Sequence, residues 1–137
     1  MVVTSDALVL YAVVIVLLPM VCFFLSAPAF LLVGLEIPEV MQLLRGIFNG
    51  YFLVMGITGA VATVLSAAAG RPVFSVGLAV IAGIAIMARR WFLQHIDAEL
   101  AAGSAVATRR LRGLHVKGML VNAVLLAAVV ACVPLIV

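Results

Sequence analysis

The chain has 137 residues, 68% of them hydrophobic and 9% charged, with a net charge of +3. A soluble domain carries roughly 25% charged residues, so too few polar side chains are present here to build a water-facing surface. The excess of basic residues does not point to nucleic acid. They gather beside apolar blocks, where topology determinants and lipid phosphate contacts belong, and no nucleic-acid-binding motif accompanies them.

The apolar residues fall in long blocks rather than alternating, the pattern of an all-α chain that crosses a bilayer. Four spans are predicted, at about 7–33, 46–69, 72–90 and 113–136, in one domain covering 1–137. The start, Met1 to Asp6, has no Lys or Arg, and the first apolar block is too long for a signal-peptide core, so a span is expected rather than a cleaved leader.

The first block holds Pro19 and Pro28, which each remove a backbone donor and favour a kink, with Ser26 placed to satisfy a freed carbonyl. Glu36 and Glu39 flank Pro38, which predicts a helix start there. This helix is expected to lie along the interface and then turn into the second span. That span carries Gly46-x-x-x-Gly50 followed by Gly56 and Gly59, small residues that let helices approach closely in lipid.

Gly70-Arg71-Pro72 reads as a tight turn. The third helix is expected to continue past its apolar part, through Arg89, Arg90 and Trp91, to about Ala102 as an extension beyond the bilayer. Gly103-Ser104 then breaks it, and a fourth helix follows from about Ala105 to Leu135. Cys22 and Cys132 fall at different depths and read as small apolar residues rather than a disulfide.

Orientation follows from counting. Arg45, Arg89, Arg90, Arg109, Arg110, Arg112 and Lys117 share one side, while Arg71 alone marks the other. The positive-inside rule places the basic loops in the cytoplasm and both termini outside, in the periplasm for a bacterial inner membrane.

Strongly polar groups in lipid are site candidates by default. On the fourth helix His115, Gly118, Met119 and Asn122 share a face, and on the second Arg45, Asn49, Phe52 and Gly56 share another, with Tyr51 beside them. If these faces meet, they form a polar pocket between helices two and four, at the cytoplasmic leaflet. There Arg45 would hold an anionic group, His115 and Asn122 would orient a lipid-like or aromatic ligand, and Tyr51 would supply apolar contact. The alternative is an interhelical hydrogen-bond network that only holds the bundle together.

His115 and Met119 are of haem-ligand type, but a His and a Met one turn apart on one helix cannot take opposite faces of one haem, and no C-x-x-C-H motif is present. His95, Asp97 and Glu99 do not converge as metal ligands would and read as a solvated helix face. No nucleophile–base pair is visible, and no carboxylate lies within a span. The residues therefore lean away from an enzyme, and a redox or oxygenase-type activity using His115 is the weakest alternative. Membrane lipids are the expected partners. The glycine-rich helices also allow a homo-oligomer or an accessory subunit of a larger membrane complex.

Arg45-Gly-Ile-Phe48-Asn-Gly-Tyr51-Phe52 and Arg112-Gly-Leu114-His115-Val-Lys-Gly-Met119-Leu-Val-Asn122 resemble the family of small four-helix membrane proteins of unknown function typified by transmembrane protein 205. The Ser26-Ala-Pro28-Ala stretch fits the same style. The resemblance implies four helices and importance for Arg45, Tyr51, His115 and Asn122. It implies no reaction.

Overall fold

A computed structural model describes residues 4–32, 34, 37–103 and 105–135. Among these the secondary structure is all helical, with α1 Ser5–Ser26, α2 Pro38–Ala68, α3 Pro72–Ala102 and α4 Ala105–Cys132. All four are long and apolar enough to cross a membrane. Large apolar side chains such as Leu10, Leu18, Val64, Val73 and Val124 lie exposed on the outside of the bundle, as a lipid-facing surface requires.

The ends of each helix follow from local chemistry. Thr4 opens α1 by accepting a hydrogen bond from the Ala7 amide at 3.3 Å. At Pro28 the missing N–H ends the α-helical ladder, and residues Ala27–Leu31 tighten into a 3₁₀ segment. The Ser26 hydroxyl donates to the Phe23 carbonyl at 3.4 Å, one residue before the Phe24 carbonyl that Pro28 frees. Pro38 occupies the first turn of α2, with Glu39 beside it at the positive end of the helix dipole. Glu36 and Ser104 lie outside the described residues, as do Val33 and Ile136 at the ends of the predicted first and fourth spans.

No interfacial turn interrupts α2. Pro38–Ala68 is one continuous helix, because the apolar face that packs into the bundle already begins at Leu44, within two turns of Pro38. α3 likewise runs unbroken through Arg89 and Arg90 to Ala102, and Gly103 closes it in the left-handed region at φ 60°. α4 stops at Cys132 and tightens into a 3₁₀ turn over Val133–Leu135.

The α2–α3 connection is a Schellman turn. Gly70 takes φ 72°, its N–H bonds to the Ala67 carbonyl, and the Arg71 N–H bonds to the Ser66 carbonyl. The Arg71 carbonyl in turn accepts from Ser75 at the start of α3, so the backbone of Arg71 is held from both sides. This short connection makes α2 and α3 an antiparallel hairpin, the most intimate contact in the bundle.

A Cβ on Gly59 would stand 2.9 Å from the Cβ and 3.2 Å from the Cα of Ala82, and one on Gly56 would stand 3.0 Å from Ile86. These two glycines therefore serve α3, whereas Gly46 and Gly50 face open space. The Ser75 hydroxyl donates to the Thr63 carbonyl at 2.9 Å and ties the two helices near the turn. Helices α1 and α4 complete the ring of neighbours, so that α2 and α4 lie across a diagonal and touch far less than adjacent helices do.

Candidate functional site

The centre of the bundle is aromatic. Phe48 of α2 lies against Phe23 of α1 (ring centroids 5.7 Å apart), Phe52 of α2 (5.9 Å), Phe92 of α3 (5.2 Å) and His115 of α4 (5.8 Å). Tyr51 stacks on Phe23 at 4.1 Å, and Phe52 on Phe92 at 5.4 Å. The Phe48 ring crosses the diagonal because Gly118 leaves room for it: a Cβ there would stand 2.6 Å from Phe48 Cζ. Phe48 thus occupies the space between α2 and α4 where the paired polar faces predict a pocket.

Around this ring stack the polar groups sort into two sets. In the first, the Tyr51 hydroxyl donates to Asn122 Oδ1, and Asn122 Nδ2 donates to the Met20 carbonyl of α1 at 3.1 Å. His115 Nε2 donates to the Ala27 carbonyl at 2.7 Å; a carbonyl only accepts, so the proton is on Nε2. Ala27 stands where the α-helix gives way to 3₁₀ geometry, so His115 satisfies a carbonyl at a helix end. His115 Nδ1 is buried and has no hydrogen-bond partner among the described residues. The two bonds to α1 lie two turns apart on both helices, His115 on Ala27 and Asn122 on Met20, which fixes the α1–α4 register.

The second set faces α3 instead. Arg45 donates to both carboxylate oxygens of Asp97, from Nε at 2.5 Å and Nη2 at 3.0 Å. Arg89 donates from Nε to Asn49 Oδ1 at 2.9 Å. The condition on which the sequence pairs Arg45 and Asn49 with His115 and Asn122, that the two faces meet, is not met by these two side chains, which turn to α3. The hairpin turn brings the α3 extension beside the start of α2, and Asp97 stands as far in sequence after Arg71 as Arg45 stands before it. A partly exposed guanidinium with a carboxylate in reach takes that partner rather than a neutral imidazole across a diagonal.

Of the residues singled out from sequence, Tyr51, His115 and Asn122 come together around the aromatic core. Met119 lines a cleft beside them, and Arg45 and Asn49 are engaged elsewhere. That cleft, of about 240 Å³, lies between α1 and α4 and is walled by Phe23, Phe24, Leu31, Met119, Leu120 and Asn122, with Val116 and Ala123 completing it. Asn122 is the one polar side chain in its wall. The α1 contribution left no mark in the sequence, because its polar partners are backbone carbonyls.

Trp91 packs edge-on against Phe92 at 4.9 Å, and His95 lies over it at 4.0 Å with Nδ1 donating to the Trp91 carbonyl. Glu99 meets Arg110 at 3.6 Å. His95, Asp97 and Glu99 thus take three separate partners, and among the described residues no three His, Cys, Asp or Glu side chains gather as a metal site would need. Cys22 and Cys132 are free thiols.

No family model, no curated protein and no solved structure matches the chain.

Proposed function

We propose that this chain is a small polytopic membrane protein that binds a lipid-like or aromatic molecule in the cleft between α1 and α4, in the half of the bundle that carries the basic residues. The carrying observation is the cleft itself, an apolar slot with Asn122 in its wall. Tyr51 and the Met20 carbonyl hold that amide in place. Pre-set polar groups in an otherwise apolar concavity are the usual form of a small-molecule site.

Arg112 and Arg109, both exposed, continue the line of Val116, Met119, Leu120 and Ala123 along α4 at helical spacing. They take the role that the sequence suggests for Arg45, that of meeting an anionic group at the mouth. The resemblance to the transmembrane protein 205-like family, and placement in a bacterial inner membrane with the basic loops in the cytoplasm, belong to the same proposal.

The test is mass spectrometry of organic extracts from purified wild type, Ala123→Phe and Arg112→Gln. Filling the cleft at Ala123 should remove a co-purifying species, and Arg112→Gln should deplete it if it is anionic. Identical species in identical yield from wild type and Ala123→Phe would end the proposal.

A second reading, a homo-oligomer or accessory subunit, is favoured by Gly46 and Gly50, whose Cβ positions have nothing within 4 Å among the described residues. It predicts that Gly46→Leu with Gly50→Leu dissociates a complex seen by light scattering after gentle solubilisation. A wild type that is monomeric there would reject it.

A further inference from the structure

At the opposite end of the bundle a larger apolar groove, about 540 Å³, opens between α3 and α4. Its α3 wall is Phe74, Gly77, Leu78 and Ile81, at the spacing of one helix face, and its α4 wall is Ala128, Val129 and Cys132. The volume falls within the roughly 300–1,000 Å³ of sites that hold small organic ligands. Its length matters more. From Arg71 at the rim to Ile81 at the floor is about 15 Å of helix rise at ~1.5 Å per residue, half of a hydrocarbon core of about 30 Å. The groove therefore has the depth of one leaflet.

Arg71 is the one charged residue in the lining, and it sits at the rim. It meets Asp6, in the first turn of α1, at 3.6 Å, with the Asp6 side chain largely exposed and that of Arg71 about half exposed. Both are anchored by backbone: Asp6 by the Thr4 cap, Arg71 by the Schellman turn and its bond from Ser75. An exposed, single-contact ion pair of this kind adds little to stability and exchanges partners readily. The rim therefore presents one cation and one anion, side by side, above a leaflet-deep apolar slot.

We propose that this groove holds an acyl chain of a zwitterionic phospholipid, with Arg71 on its phosphate and Asp6 on its ammonium group. A headgroup whose only charge is its phosphodiester satisfies Arg71 but takes it from Asp6 and leaves that carboxylate without a cation. A phosphoethanolamine-type headgroup inserts into the existing ion pair and satisfies both members. The site is distinct from the α1–α4 cleft and does not depend on it.

Native mass spectrometry of the intact protein in detergent, with phosphatidylethanolamine and phosphatidylglycerol of identical acyl chains added in equal amounts, tests this. Wild type should retain one phosphatidylethanolamine several-fold over phosphatidylglycerol. Asp6→Asn should shift the balance toward phosphatidylglycerol, and Arg71→Gln should weaken retention of both. Among the described residues nothing lies within 4 Å of the Gly77 Cβ position, so Gly77→Phe grows into the groove from an open wall position and should release the lipid. The proposal is overturned by an equal ratio of the two lipids in wild type and Asp6→Asn, by full retention in Gly77→Phe, or by a second copy of the chain rather than lipid being lost from Gly77→Phe. If Gly77→Phe does not fold, the Asp6→Asn ratio decides alone.

Discussion

Gly118 and Phe48 are a matched pair. The Phe48 ring contacts rings from all three other helices, so it has no free direction in which to retreat from a new methyl group on α4. Overpacking a filled core costs about 1–3 kcal/mol, and Gly118→Ala should fall in that range by denaturant unfolding in detergent. Phe48→Leu placed on top of Gly118→Ala should recover part of the loss, while Phe48→Leu alone should destabilise by opening a void. Additive single effects would show that the two residues do not share the space. Tyr51→Phe is a gentler test. Interhelical hydrogen bonds in membrane proteins average only about 0.6 kcal/mol and reach about 1.7 kcal/mol. The substitution keeps the ring stack on Phe23, so unfolding should shift by less than about 1.7 kcal/mol. Loss of folding would mean that the hydroxyl carries more than a membrane hydrogen bond ordinarily does.

Between elements, the α2–α3 hairpin is set by backbone proximity that side chains cannot relieve. Gly59→Ala should push α2 from α3, since its methyl group would meet the Ala82 Cα as well as its Cβ. Adding Ala82→Gly removes the nearer of these atoms, and the pair should regain much of the stability lost by Gly59→Ala in the same unfolding assay. The same hairpin explains what sequence reasoning could and could not see. The four helices were legible because apolar blocks, prolines at helix starts and Gly70 and Gly103 at helix ends are local signals. The face-sharing of His115, Met119 and Asn122 was legible for the same reason. Which face meets which is not local, and two polar faces of matching depth suggested a partnership between α2 and α4. The structure instead pairs Arg45 with Asp97 and Asn49 with Arg89. The tight Gly70-Arg71-Pro72 turn carried that information, since residues at comparable sequence distances on either side of it are brought to the same depth. No signal in α1 could have announced the carbonyls of Met20 and Ala27 as the partners of Asn122 and His115.

At the scale of the whole molecule, charge is divided between the two ends of the bundle, and the ion pairs do not cancel the division. Arg45 is paired with Asp97 and Arg110 with Glu99, whereas Arg90, Arg109, Arg112 and Lys117 stand exposed at the same end. The other end has Arg71, already beside Asp6. Orientation responds to Lys and Arg counts near span ends rather than to net charge, so the carboxylates at the basic end do little to offset it. A reporter active only outside the cytoplasm, fused after the last residue, is therefore expected to be active, and a cytoplasm-only fluorescent reporter at the same place to be dark. Replacing Arg109, Arg110 and Arg112 together by Gln should weaken this bias, and adding two Lys residues beside Arg71 in that background should weaken it further and yield a mixed population. A wild type with its C-terminal reporter active only in the cytoplasm would invert the arrangement. It would then put the α1–α4 cleft in the outer leaflet and the Asp6–Arg71 groove in the inner one, exchanging the lipid pools that the two sites can sample.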